Sequence, residues 1–347
     1  MSDLPALGWS ADLATAFAPY ALTHRCARVT RVDRSAVDAL VAGDDFTGIR
    51  ATPRSHDISP VVGDWVVVIE DGGEWRIDAL LPRRTTIERA AVSGRSESQV
   101  MAANVDLVLI AMPVVPEPKL TLVERMVALA WDSGATPVVV VTKADLSADS
   151  DAIVADLAEA APGVDVVAVS VVAEDGLAAL APYLVDGRTL CVLGRSGAGK
   201  SSLVNALVGA EVLETAEIRR DGKGRHTTTH REMSVLPSGA VIVDTPGLRG
   251  AGLWVTEEGL DRTFADIEEL VIGCRFTDCA HVQEPGCAVL AAVEDGRLPQ
   301  RRLDSWHKLQ REARWMAMRS DARLRAEARR ARVVTHKEVR RSGRIRP

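Results

Sequence analysis

The stretch Gly194-Arg195-Ser196-Gly197-Ala198-Gly199-Lys200-Ser201 decides how the rest of the chain is read. It fits the spacing G-x-x-x-x-G-K-[ST]. An apolar run, Thr189–Leu193, precedes it, and a helical pattern follows from Ser201-Ser202 to Val208. Strand, glycine-rich loop and helix in that order make a phosphate cradle. The glycines let backbone N–H groups turn inward around phosphate oxygens, and the helix N-terminus adds its dipole and free N–H groups. Lys200 would supply a point charge for the β and γ phosphates, and Ser201 a hydroxyl for magnesium. A chance glycine-rich turn would have no reason to carry both flanks.

Outward from this loop, residues 99–265 alternate strands with helices. Candidate strands are 106–111, 137–141, 165–169, Thr189–Leu193, 232–236 and 241–243, with helices near 120–132, 149–160 and 177–184. That pattern predicts a parallel sheet covered on both faces. Two further motifs end strands of this sheet. Asp244-Thr245-Pro246-Gly247 follows 241–243; Asp244 would reach magnesium through water and Gly247 would offer its N–H to the γ-phosphate. Thr142-Lys143-Ala144-Asp145 follows 137–141 and matches [NT]-K-x-D. An aspartate there accepts from the guanine N1–H and 2-amino groups, which adenine lacks, and such a polar contact discriminates strongly. The lysine stem would pack across the base and ribose. Thr142 replaces the commoner asparagine. Ser170 stands where GTPases place a base-contacting Ser-Ala pair, although Val171 breaks the pair.

Residues 222–230 are polar and glycine-containing, as a loop closing on magnesium and γ-phosphate should be. Thr228, with Thr227 next, is the candidate for that closure. Leu248 occupies the position at which Ras-like GTPases carry a water-orienting glutamine, and a leucine cannot polarise water. His226 is the nearest residue with suitable chemistry, and bracing of its own loop is the competing role. The order is unusual. The guanine motif precedes the phosphate loop, which precedes Asp244, so the usual arrangement is circularly permuted; such a sheet still forms when the original termini lie close together.

Both flanks differ in character. From about 23 to 91 the chain reads as all-β, with strands at 25–33, 61–70 and 74–81, a hairpin turn at Asp71-Gly72-Gly73, and a tight turn at Val62-Gly63-Asp64-Trp65. Short strands with turns predict a closed barrel such as an OB-fold, a fold that often binds RNA. Residues 1–22 read as a poorly defined extension. Beyond 266 lies Cys274-x4-Cys279-x-His281-x5-Cys287, with the Glu284-Pro285-Gly286 turn bringing the chain back onto Cys287. Three thiolates and an imidazole make a complete tetrahedral zinc set with no open position, and hence a structural site. The alternative is three buried cysteines and an unrelated histidine. A long helical pattern with Leu303, Trp306, Leu309 and Ala313 along one side then runs from about 299 to 332.

Composition sets bounds. The 347 residues suggest two or three domains. No apolar run approaches the ~20 residues of a membrane span, and no basic segment followed by an apolar one opens the chain. Five cysteines, three of them within 274–287, suit a metal site in a reducing compartment better than disulfides. The net charge of -6 hides an asymmetry, since residues 297–347 hold 17 Lys+Arg against 5 Asp+Glu, a local +12. A basic tail on an acidic body predicts a polyanionic partner.

These motifs together resemble the small-ribosomal-subunit-dependent GTPases of bacteria, the ribosome biogenesis GTPase A family. The resemblance rests on the permuted order, the 224–229 and 244–248 segments, and the Cys274 to Cys287 cluster with its Arg-Phe and Glu-Pro-Gly inserts. It implies a multi-domain α/β chain: an N-terminal OB-fold barrel over about 23–91, a permuted P-loop GTPase domain over 99–265, and a zinc-binding helical domain with its basic tail over 266–347. It implies GTP hydrolysis stimulated by the small subunit, late in that subunit's maturation, and contact with its rRNA. Family members also carry a hydrophobic residue where Leu248 stands. One structural Zn2+, Mg2+ with GTP, a cytoplasmic location and a monomer are expected. The competing readings are an RNA-binding scaffold that uses GTP only as a switch and a P-loop small-molecule kinase.

Overall fold

The computed structural model describes residues 4–41, 47–90, 98–209, 232–244 and 255–320. The strands are β1 (Arg25–Val32), β2 (Val37–Val41), β3 (Thr47–Pro53), β4 (Trp65–Asp71), β5 (Glu74–Leu80), β6 (Thr86–Ala90), β7 (Ser98–Ala103), β8 (Leu107–Pro113), β9 (Thr136–Thr142), β10 (Asp165–Ala168), β11 (Thr189–Leu193), β12 (Glu232–Val235) and β13 (Val241–Asp244). The helices are α1 (Ala11–Phe17), α2 (Leu120–Asp132), α3 (Ser150–Ala160), α4 (Lys200–Val208), α5 (Glu257–Thr263), α6 (Ala265–Val271), α7 (Ala288–Glu294) and α8 (Gln300–Ser320). None of the described helices is long and apolar enough to cross a membrane.

The first five strands close on themselves in the order β1-β2-β3-β5-β4, with β4 returning to pair with β1. A five-stranded barrel of this size is filled by its own side chains. Here the filling includes Ala27, Val29, Val37, Ile49, Val66, Val68 and Ile77. The turn into β4 is built by two residues. Gly63 has φ +88° and lies so close to Ala103 that a Cβ would sit 2.2 Å from its carbonyl oxygen. The buried carboxylate of Asp64 accepts from Val61 N at 2.7 Å and takes both arms of Arg83, each at 2.7 Å. Residues 4–20, expected only as an extension, are part of the fold. Leu4, Leu7, Leu13 and Phe17 are buried, and Trp9 packs edge-on against Trp65 of the barrel, 4.7 Å between ring centres.

The second sheet runs β10-β9-β8-β11-β13-β12, parallel except for β12. Its central strands are buried on both faces and are near-continuous apolar runs, as parallel strands between helical layers must be. The chain crosses outward from β8 to β9 and β10, then returns to β11 and proceeds to β13 on the other side. The order therefore reverses at β8/β11, where α/β sheets place ligands beyond the carboxyl ends of their strands. Barrel and sheet are one hydrogen-bonded surface, because β1 also pairs antiparallel with β12 at Arg31 and Glu232. Arg28 pins the same junction from inside. It is fully buried and donates to Leu7 O, to Asn104 O at 3.3 Å and to Thr189 Oγ1 at 2.9 Å. Burial lowers its pKa to about 10, which leaves it charged at neutral pH.

The C-terminal helices share a third core of Leu260, Phe264, Ile267, Val289, Leu298, Leu303, Trp306 and Leu309. That core is joined to α2 by a buried ion-pair network. Arg302 of α8 reaches Glu124 of α2 (3.1 Å), Ala160 O of α3 (2.8 Å), Thr263 O of α5 (2.8 Å) and Asp266 of α6 (2.6 and 2.7 Å). Ser305 donates to the other oxygen of Glu124.

Candidate functional site

The phosphate loop lies at the carboxyl end of β11, at the sheet's switch point, and α4 begins at Lys200 directly after it. Gly194 sits under a close approach, since a Cβ there would meet the carbonyl oxygen of Ala111 at 2.6 Å. The loop carbonyls are held by named donors. Lys200 Nζ donates to Gly194 O at 2.9 Å and Arg195 O at 2.8 Å. Lys143 Nζ donates to Gly197 O at 3.0 Å, and Thr142 Oγ1 donates to Ala198 O at 2.7 Å. Ala198 N donates within the loop to Arg195 O at 3.2 Å, and the start of α4 brings the N–H groups of a helix N-terminus, which suit an anion. Ser196, Ser201 and Ser202 belong to the same loop and first turn.

The segment of Thr142, Lys143, Ala144 and Asp145 is thus in contact with the phosphate loop across 56 residues of sequence. Thr142 is buried, so its hydroxyl performs the loop bracing despite being shorter than an asparagine amide. Lys143 takes a left-handed conformation (φ +59°), which turns the chain sharply at the strand end. Ala144 N donates to Val169 O at 3.1 Å, tying this turn to the end of the β10 segment. There Ser170 Oγ donates to Asp145 Oδ1 at 2.6 Å, and the hydroxyl also receives Val172 N at 3.4 Å. Ser170 therefore orients the Asp145 carboxylate, and Val171 is 41% exposed beside it. Asp244 ends β13, the neighbour of β11, which puts its backbone next to the phosphate loop. His226, Thr228, Gly247 and Leu248 lie outside the described residues.

The second cluster is Cys274, Cys279, His281 and Cys287, whose four ligand atoms all lie within 4.8 Å of one another. Cys274 Sγ is 3.9 Å from Cys287 Sγ and 3.6 Å from His281 Nδ1, and His281 Nδ1 is 3.4 Å from Cys287 Sγ. A tetrahedron with zinc–sulfur bonds of ~2.3 Å has sulfur–sulfur edges of about 3.8 Å, so the donor set fits such an ion. The thiol of Cys274 is pushed up by burial, but the N–H groups of Ala288 and Val289, at the start of α7, bring it below its ordinary value. Leu290 N donates to Cys287 Sγ at 3.4 Å.

Two residues named in the sequence for other reasons prove to support this cluster. Glu284 accepts from the N–H groups of Ala280, Val282 and Gln283, at 3.1, 2.9 and 3.1 Å. These bonds hold the backbone on both sides of His281 and draw the Glu284 pKa down to about 2. Its only sequence signal was membership of the Glu-Pro-Gly turn. Trp306 packs on the His281 ring at 5.5 Å between centres, and the neighbouring His307 faces the His281 carbonyl at 3.3 Å. The remaining thiols, Cys26 and Cys191, are buried and unbridged, and burial raises Cys26 to about 11.

Comparison with known proteins agrees with this geometry. Residues 80–254 match the family model described as RsgA GTPase. The small ribosomal subunit biogenesis GTPase RsgA of Streptomyces avermitilis is 50% identical over 93% of this chain and 89% of its own length. The protein of the same name from Methanosarcina acetivorans is 38% identical over 92% of this chain and 87% of its own. Among solved structures, YjeQ from Thermotoga maritima superposes with a TM-score of 0.64 at 26% identity, covering 84% of this chain and 98% of that one. YloQ, described as a circularly permuted GTPase, gives 0.63 at 28%, over 84% and 95%. With the permuted sheet, the braced phosphate loop and these matches, the chain belongs to the RsgA GTPase family and is a GTP-hydrolysing enzyme.

Proposed function

We propose that this enzyme hydrolyses GTP to GDP and phosphate while bound to the small ribosomal subunit late in its maturation, and that the subunit stimulates turnover. The names of the relatives support the partner. The observation that carries the reading is the direct hold of the guanine motif on the phosphate loop, Thr142 on Ala198 O and Lys143 on Gly197 O. It makes base recognition and phosphate binding one unit. Asp145, oriented by Ser170, would accept from the guanine edge. Lys200 would exchange its loop carbonyls for phosphate oxygens, with the N–H groups of the loop and of Ser201 and Ser202 around them. Ser201, and Asp244 through water, would hold the magnesium ion that accompanies GTP and offsets its phosphate charge. Gly247 would bind the γ-phosphate, Thr228 would close on magnesium and the γ-phosphate, and His226 is the candidate for ordering the attacking water, with Leu248 contributing none of that polarity. Cys274, Cys279, His281 and Cys287 would hold one zinc ion, whose four-ligand shell leaves no position for substrate and whose contribution is to folding. The chain acts as a monomer in the cytoplasm, on the subunit's rRNA.

The test is a multiple-turnover GTPase assay with and without purified small subunits, using Lys200→Ala as the phosphate-loop control. A slow basal rate that subunits raise, and that the variant lacks, is expected. A rate indifferent to subunits would favour the scaffold reading, in which GTP is only a switch.

A further inference from the structure

Surface charge in the C-terminal region is divided between two parts. Residues 255–296, which include α5, α6, α7 and the Cys/His cluster, hold 10 Asp+Glu against 2 Arg. Exposed carboxylates such as Glu258, Glu269, Asp278 and Glu294 repel a phosphate backbone. Helix α8 is different. One side, with Arg302, Ser305, Trp306, Leu309 and Ala313, is buried. The other presents Lys308, Arg311 and Trp315, spaced three and four residues apart, with Arg314 beside them, all exposed and Trp315 52% so. That spacing keeps the side chains in one stripe, about 10 Å long at the helical rise. The helix's own acids are engaged elsewhere, Glu312 with Arg125 of α2 and Asp304 with Gln300. The stripe therefore shows its positive charge to solvent around a flat indole ring.

Charge selects the occupant. An acidic or anionic polymer is attracted to the three cations, and an indole face among them suits a base that has left its helix. A paired duplex would meet the cations and give the ring nothing to stack on. We propose that the solvent face of α8, formed by Lys308, Arg311, Arg314 and Trp315, docks unpaired RNA, with a base stacked on Trp315 and neighbouring phosphates on the three cations. The inference rests on the small-subunit reading above and narrows it: the rRNA contact of this region runs through α8, and the acidic metal-bearing loops are its support.

The test uses the full chain, purified small subunits and a labelled single-stranded RNA of about a dozen nucleotides, a length within the range such surfaces cover. Trp315→Ala should weaken oligonucleotide binding on the order of tenfold, and Trp315→Phe should restore most of it. Replacing Lys308, Arg311 and Arg314 together by Gln should flatten the log–log salt dependence by about two. Basal GTP hydrolysis and metal content should stay at parental values in all variants. A photo-crosslinking p-benzoylphenylalanine at position 315 should join rRNA when the protein sits on the subunit. Unchanged affinity and salt slope in both variants, or a crosslink to ribosomal protein alone, would overturn the proposal. Failure of the parent to bind small subunits would bring down the functional reading as well, whereas normal parental binding with indifferent variants sinks this surface alone.

Discussion

At the scale of single residues, the site is governed by what each short side chain can reach. Thr142 shows why a departure from the commoner asparagine need not weaken the loop: its hydroxyl is buried and already 2.7 Å from Ala198 O. In the proposed reading base choice turns on Asp145, whose carboxylate accepts from Ser170 Oγ. Asp145→Asn should lose GTP affinity and gain relative affinity for xanthosine triphosphate, whose 2-oxo group needs a donor. Equal GTP binding by parent and variant in a competition titration would refute the guanine assignment. Glu284 makes a second residue-scale case. Its carboxylate is held near pKa 2 by three backbone donors, against an ordinary 4.5. A depressed folded pKa means stability that is complete above about pH 4.5 and lost as pH falls through about 2. The advantage of the parent over Glu284→Gln in thermal denaturation should therefore be full above about pH 4.5 and shrink as pH falls toward 2, since the variant has no such titration. At neutral pH Glu284→Ala should retain zinc about tenfold less well in chelator competition, the scale of a lost outer-shell brace.

At the scale of elements, legibility followed apolar density. The runs in β8, β9, β11 and β13 are Leu-, Val- and Ile-rich strands buried on both faces, and all were readable from the sequence. β3, with the sequence TGIRATP, has one buried face and few apolar residues, and it was not. Helices α5, α6 and α7 are seven residues each, too short to show a full amphipathic period beside the stronger Cys/His signal. The same brevity hid α1, whose buried Leu13 and Phe17 lie one turn apart. No sequence pattern reports a network such as that of Arg302, because its partners come from four elements that only the fold assembles. Burial pushes Glu124 above the usual carboxylate range, while Ser305, Arg302 and Arg301 pull it back. Arg302→Ala would leave Glu124 buried without its main counter-charge, at a cost of about 3–5 kcal/mol in stability. Without that charge the Glu124 pKa rises further. A raised folded pKa favours the folded state at low pH, so the deficit should be smaller at pH 5 than at pH 8. Urea denaturation at the two pH values checks this, and an equal deficit at both would remove Glu124 from the explanation.

At the scale of the whole molecule, the C-terminal region cannot be separated from the catalytic sheet where the Cys/His cluster ends. A chain cut near Gly296 would keep all four residues of the Cys/His cluster but lose Leu303, Trp306, Leu309 and Ala313, which are buried in the same core as Cys287. It would also lose Arg302 and the Trp306 ring on His281. The informative boundary is therefore after Ser320, which leaves α8 in place. Removing 321–347 takes away 10 Lys+Arg and 3 Asp+Glu, a change of seven charges. The truncated protein should keep its metal, its denaturation midpoint and its slow basal hydrolysis. Its binding to small subunits should weaken and become less salt-sensitive, because fewer counterions are released from the RNA. If tail binding is coupled to the GTP state, that coupling is a binding free energy and must be reciprocal. Truncation should thus also narrow the difference in subunit affinity between the GTP- and GDP-bound forms. If the truncated and full chains bind with the same affinity, salt slope and nucleotide dependence, residues 321–347 are a passive solvated segment, and the polyanion contact belongs to the barrel and α8.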